Sequence, residues 1–168
     1  MNCNYQDIIN KIRNGEYKLL GFGSCRYVFD MNNGYVVKVA KDIRGTEQNI
    51  NEYNIFQSGK SGFFAEVVYI SENNRLLVMV KAFKIKNINT VLRYYNCRNI
   101  KSLVRLDNFI DDINQFGISL GDIVRVSSWG MVDNVPLMID YGLTHQTFTK
   151  YYGRNLLLRK RYTPIRYW

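Results

Sequence analysis

Apolar residues come in short blocks or alternate with polar ones over the first eighty positions, and later recur at helical spacing. Tyr17 to Leu20, Arg26 to Asp30 and Gly34 to Ala40 have the length and make-up of strands. Met31-Asn32-Asn33-Gly34 separates the second from the third, and Asn-Gly between apolar runs signals a hairpin. Phe64 to Ile70 and Arg75 to Val80 read as two more strands, joined through Glu72-Asn73-Asn74. Between these groups, Thr46 to Gln57 reads as a helix with Thr46 as its N-cap. Ile50, Tyr53 and Ile55-Phe56 supply its apolar side, and Glu52 lies on another side. Asp7 to Asn14 reads as a short helix with Ile8, Ile9 and Ile12 on one side. The first half is therefore predicted as a five-stranded antiparallel sheet with one inserted helix.

The second half is predicted to be mainly helical. Lys81 to Asn87 connects the halves, and Ile88 to Tyr95 suits a short helix. Leu103, Leu106, Ile110 and Ile113 repeat at 3, 4 and 3, which predicts a helix through Gln115. Asp122 is expected in a loop, Val135 to Ile139 in a strand, and Leu143 to Leu158 in a closing helix broken at Gly153. The expected class is α+β, with residues 1–84 as the sheet half, 85–168 as a smaller half, and one cleft between them.

Composition narrows the function more than the fold. The three cysteines, Cys3, Cys25 and Cys97, lack the spacing of a disulfide framework or a zinc site. The single histidine, His145, removes most metal-site and His-triad options. No apolar run is long enough to cross a membrane, and the first residues lack a signal-peptide pattern, so a cytoplasmic location is expected. The net charge is +9. Lys150, Arg154, Arg159, Lys160, Arg161 and Arg166 form a basic tail without an acidic residue, interleaved with Tyr151-Tyr152, Tyr162, Tyr167 and Trp168. That tail suits either a solvated face or a surface for nucleic acid or a protein partner. Most other aromatic residues, Trp129 included, read as core.

Four segments carry candidate chemistry. Gly21-Phe22-Gly23-Ser24-Cys25-Arg26-Tyr27-Val28 is a glycine loop; glycine lets backbone N–H groups approach phosphate without a Cβ clash. On its own the segment suits an ordinary hairpin with flexible glycines better. Lys38 ends the apolar stretch Tyr35-Val36-Val37, and a lysine there is costly to bury unless paired. Glu52, fourteen residues on, is the expected partner; Glu47 is the weaker candidate, because acids are common in a first helical turn. Asp140-Tyr141-Gly142 follows a strand, and Leu120-Gly121-Asp122 precedes Asp140 by eighteen residues.

Glycine loop, strand lysine, helix glutamate and Asp-aromatic-Gly, in this order, resemble the active site of the protein-kinase-like superfamily. The resemblance covers roughly Leu19 to Leu143, and Gly-Asp before Asp140 is similar to the catalytic loop of aminoglycoside and choline kinases. Gln48-Asn49 with Glu52, and Ser128-Trp129-Gly130, also resemble small kinase-like proteins of bacteria and their phages. The resemblance implies a kinase-like fold that binds ATP and Mg²⁺. Gly21, Gly23, Ser24 and Val28 would cover the nucleotide, with the adenine near Met79 to Lys84. Lys38, oriented by Glu52, would contact the α- and β-phosphates, Asp122 would take or orient the acceptor proton, and Asp140 would hold Mg²⁺.

The departures are specific. Arg26 stands where a third glycine is usual, and Ser127 where an asparagine metal ligand is expected. No His-Arg precedes Asp122 and no Ala-Pro-Glu follows Asp140, so the usual activation segment and peptide platform are not expected. Three functions follow, the last being nucleic-acid binding through the basic, aromatic tail with nucleotide binding absent or vestigial. The first is a minimal phosphotransferase moving the γ-phosphate of Mg-ATP to an unknown acceptor. The second is a non-catalytic, pseudokinase-type binding protein, such as a phage inhibitor acting on a protein or nucleic acid.

Overall fold

The computed structural model describes the backbone of residues 4–156 and the side chains of residues 4–153. The N-terminal half is built from β1 (Lys18–Phe22), β2 (Arg26–Asp30), β3 (Tyr35–Ala40), β4 (Val67–Ile70) and β5 (Leu76–Val80). They form one antiparallel sheet in the order β1-β2-β3-β5-β4. The hairpin forms where the Asn-Gly signal places it, but its four-residue turn puts Asn32 and Gly34, rather than Asn33 and Gly34, at positive φ. The longest helix, α2 (Ile43–Ser58), enters between β3 and β4.

The sheet is covered on both faces, and strand alternation decides which residue goes where. Val37, Leu76 and Val78 face α1 (Tyr5–Arg13), where Ile8 is buried with Ile9 and Ile12 beside it. Val36, Leu77 and Met79 face α2 and the C-terminal half. Register pairs Val28 with Lys38 and Asp30 with Val36, so Arg26, Val28, Val36 and Lys38 share this inner face.

The C-terminal half follows the short strand β6 (Phe83–Lys84). It contains α3 (Ile88–Tyr94), α4 (Ile100–Leu103), α5 (Asp107–Phe116), α6 (Leu120–Val124), β7 (Trp129–Val132), β8 (Val135–Met138) and α7 (His145–Leu156). Strands β6, β7 and β8 make a second antiparallel sheet. One core joins the halves: Phe63 stacks on Phe109 at 4.1 Å and on Tyr95 at 4.4 Å, with Trp129 edge-on. Ile55, Phe64, Met79, Leu103, Ile113, Ile123 and Met138 complete it. These aromatic side chains are core, as expected. Among the described residues no helix is long and apolar enough to cross a membrane.

Four local expectations change. Helix α2 begins at Ile43 with Asp42 as its cap, accepting from the Arg44 and Gly45 amides; Thr46 lies inside the first turns. The expected helix from Leu103 to Gln115 is two helices. Asn99 and Ser102 cap α4 reciprocally, and Leu106 is extended, at φ −61° and ψ 131°, before α5 begins. Leu103 and Phe109 both reach the core across this break. Asp122 stands on the short helix α6 rather than in a loop, and α7 continues through Gly153. The fold is α+β: five antiparallel strands with one helix, followed by a small, mainly helical half.

Candidate active site

Lys38 projects from the middle of the sheet onto the inner face and is 5% exposed. Its ammonium donates to Glu52 Oε2 at 2.7 Å and to the Ile139 carbonyl at 2.5 Å. Glu52 is fully buried, reached by α2 crossing that face. A buried carboxylate is tolerated only when paired and hydrogen-bonded. Burial alone would raise the Glu52 carboxyl, but Arg26 and then Lys38 hold it below the usual range. Burial lowers the Lys38 ammonium; Glu52 opposes that and Arg26 adds to it. Glu47, the alternative partner, faces α7 and accepts from Lys150 Nζ, Tyr151 OH and Thr147 Oγ1.

Asp140-Tyr141-Gly142 docks against α2 through Tyr141 and Gly142. Tyr141 is buried on Phe64, gives its hydroxyl proton to the Ala65 carbonyl at 2.9 Å, and donates its amide to Glu52 Oε1 at 3.3 Å. Burial pushes its phenol upward. A Cβ on Gly142 would overlap the Gln48 carbonyl, so glycine here is a matter of close approach. Asn51 donates to the Gly142 carbonyl at 2.8 Å and to Thr147 at 2.9 Å. With Tyr141 and Gly142 fixed, Asp140 turns out of the core, its side chain 51% exposed.

Arg26 joins the two carboxylates. Its Nη2 donates to Asp140 Oδ1 at 2.6 Å and to Glu52 Oε1 at 2.9 Å, and its Nη1 to Asn49 Oδ1 at 3.3 Å. Asn49 is itself held, donating to the Asn74 carbonyl at 3.0 Å. Burial would lower the guanidinium, but Glu52 and Asp140 outweigh it and its pKa goes up. The sequence marks Arg26 only as a missing glycine, and Asn49 only as part of a resemblance. The signal available was strand alternation, which puts position 26 on the same face as Val28, and hence as Lys38.

The glycine loop leads directly into Arg26 of this cluster. Gly21 lies opposite Val28, and the Gly23 amide bonds the Arg26 carbonyl at 2.9 Å. A Cβ at Gly21 or Gly23 would meet nothing within 4 Å, so no protein neighbour demands glycine at either position. Ser24 is exposed at the tip, and Val28 is half-buried against the core. Lys41 steadies the tip, donating to the Gly23 carbonyl at 2.7 Å and lying over the Tyr27 ring at 4.1 Å. Cys25 is buried, its sulfur 3.3 Å from Tyr152 OH.

Asp122 is 5% exposed at the start of α6 and pairs with Arg125 at 3.2 Å. Burial, then the charge of Asp140, push its carboxyl up to about 6; Arg125 and Arg26 oppose. Asp122 and Asp140 thus lie within electrostatic reach of each other. Ser127 is exposed, whereas Ser128 is buried, its carbonyl accepting from the Ile139 amide at 2.8 Å. The Ser128 hydroxyl has no hydrogen-bond partner among the described residues. His145 begins α7, exposed, with Nδ1 3.2 Å from Thr149 Oγ1.

The connection between the halves is tied down from above. Lys81 Nζ pairs with Asp30 at 2.6 Å, and its amide bonds the Gly34 carbonyl at 2.9 Å. A depression of about 670 Å³, lined by Asp30, Tyr35, Val80, Lys81, Phe83 and Val132 among others, lies over this connection. None of Arg26, Lys38, Glu52 or Asp140 lines it. The basic residues Arg159, Lys160, Arg161 and Arg166, and the side chain of Arg154, lie outside the described residues.

The donor set fits Mg²⁺ poorly. Mg²⁺ takes near-octahedral oxygen ligands at about 2.0–2.1 Å. Asp140 already accepts from a guanidinium, Ser127 is exposed, and no group of three or more His, Cys, Asp or Glu among the described residues is placed to hold a metal.

No protein-family model matches the sequence, and no curated protein matches it. Solved structures do. The chain is similar to WbdD at 18% identity and TM-score 0.44, over 80% of this chain and 34% of that one. It is similar to APH(2")-IIa in its streptomycin–ATP complex at 17% identity and TM-score 0.45, over 84% of this chain and 72% of that one. In the gentamicin complex of APH(2")-IIa the figures are 22% and 0.39, over 75% and 44%. The chain thus spans about a third of the length of WbdD.

Proposed function

We propose that the chain is a minimal kinase-like phosphotransferase whose cleft binds ATP. The observation that carries the reading is the buried Lys38–Glu52 pair, held against Asp140 by the docked Tyr141 and Gly142. A lysine and a glutamate bonded at 2.7 Å inside a core are costly to place for stability alone. Paired there, Lys38 meets the α- and β-phosphates in a fixed position. The open space at Gly21 and Gly23 leaves room for backbone N–H groups to approach the triphosphate. Val28 and the connection from Met79 to Lys84 frame the adenine.

In the transfer step, an acceptor hydroxyl oxygen forms a bond to the γ-phosphorus while the bond from that phosphorus to the β–γ bridging oxygen breaks. The hydroxyl proton passes to the Asp122 carboxylate, and ADP leaves. A carboxyl near pH 6 is mostly ionised at neutral pH and so is ready to accept. Arg26 and Lys38 balance the phosphate charge.

A second reading, a nucleotide-binding protein that does not transfer phosphate, is favoured by one observation: Arg26 occupies Asp140 Oδ1. Labelled γ-phosphate separates the two. The phosphotransferase reading expects release or transfer that Asp122→Asn removes; equal background in both proteins leaves only binding.

A further inference from the structure

The carboxylate that the resemblance assigns to a metal ion already carries a cation. Arg26 is 7% exposed and bonds both Asp140, at 2.6 Å, and Glu52, at 2.9 Å. Its place is fixed from a third side by Asn49, itself anchored on the Asn74 carbonyl. Three of its five N–H donors are used in these bonds, leaving two of the fork for an anion. Lys38 adds a second fixed cation with one N–H beyond its two bonds.

Two opposed effects decide what such a site takes. A divalent cation entering at Asp140 would lie against a guanidinium and near an ammonium, in a setting where like charges repel strongly. A polyphosphate entering the same place would meet two cations already held in position, so little ordering is needed on binding. Guanidinium is also suited to phosphate: it stays charged, is planar, and donates in a fork. Removing Arg26 would reverse both effects, freeing Asp140 and halving the cationic side.

We propose that the cleft binds a nucleoside triphosphate without a divalent cation, Arg26 taking the ion's place at Asp140. This rests on the nucleotide-binding reading above.

The test is calorimetric titration of ATP into the full chain, in EDTA and in excess Mg²⁺, for the wild type, Arg26→Gly and Arg26→Lys. The wild type should bind in EDTA with an affinity within about threefold of that in Mg²⁺, since no counter-ion is needed. Arg26→Gly should lose about tenfold or more in EDTA, the scale of losing charge-assisted hydrogen bonds, and recover in Mg²⁺ once Asp140 is free. Arg26→Lys keeps a charge but not the fork, and should bind in EDTA more weakly than the wild type. If Arg26→Gly fails to fold, the wild-type and Arg26→Lys titrations decide. Wild-type binding that appears only with Mg²⁺ overturns the inference while leaving the nucleotide reading intact. No ATP binding in either buffer overturns both.

Discussion

The two arms of the cleft are built to different standards. On the sheet side, Lys38, Glu52, Arg26, Asp140 and Asn49 form one connected network, and four of the five are buried. On the helical side, Asp122 has one charged partner, Arg125, which is itself largely exposed, and Ser127 points to solvent. The sheet-side arm is thus fixed many times over, and the helical-side arm is sparse. The chain invests its buried polar groups in holding the charge set that we propose binds phosphate. It leaves the Asp122 side open, so on the proposed reading an acceptor would bring much of its own positioning.

The sharpest way to break this contrast is at Glu52. Glu52→Ala strands two buried cations, and breaking a buried pair typically costs about 3–5 kcal/mol. Chemical denaturation should show a loss on that scale; a loss below about 1 kcal/mol, the value of an exposed pair, would mean the network is not buried in solution.

On the other arm, Asp122→Asn should leave folding and ATP affinity nearly unchanged and lower transfer by about 10²–10⁴-fold, the range for a general base. Wild-type transfer should rise with pH through about 6, and Asp122→Asn should lose that dependence. The stability effect has the opposite sign. The native carboxyl, near 6, holds its proton more tightly than the unfolded one, at 3.8, so Asp122's contribution to stability is lost as pH rises through that window. A wild-type rate flat between pH 5 and 7 would remove Asp122 from the chemistry; those bounds are about one unit either side of the shifted value.

Gly142→Ala probes how Asp140 is aimed. The added methyl meets the Gln48 carbonyl and Glu52 Cγ, and forcing extra volume into such a contact costs about 1–3 kcal/mol. ATP affinity should fall with it, because Asp140 and Arg26 shift together. The smallest effect is expected at Ser127→Asn. An exposed substitution of this kind changes stability by less than about 0.5 kcal/mol. A gain in Mg²⁺-dependent ATP affinity there would show that the helical-side arm is less bare than its contacts indicate.

Much of the sheet side was legible in the sequence because it depends on short-range rules. Strand lengths, the Asn-Gly turn and the fourteen-residue step from Lys38 to Glu52 all follow from local pattern. What was not legible depended on contacts between distant segments. Arg26 meets Asp140 across 114 positions, and no local pattern predicts which carboxylate a strand arginine will find. The break between α4 and α5 lies inside an unbroken apolar repeat, because Leu103 and Phe109 reach the same core only if the chain turns between them. Thr46 lost the cap to Asp42, whose carboxylate reaches two amides where a threonine hydroxyl reaches one. The second sheet was missed at Trp129–Val132, where Trp129 is buried and its indole donates to the Ile123 carbonyl at 2.8 Å.

The central claim is that Lys38 anchors ATP in this cleft. Its most direct test is ATP affinity of the full chain beside Lys38→Met, each checked by a melting curve. Met fills similar space, and Glu52 keeps Arg26 as a partner, so the variant should stay folded. The account predicts saturable one-to-one binding in the wild type and a loss of about tenfold or more in Lys38→Met, the scale of removing a charged hydrogen-bond donor from phosphate. Equal affinity in two folded proteins would contradict it.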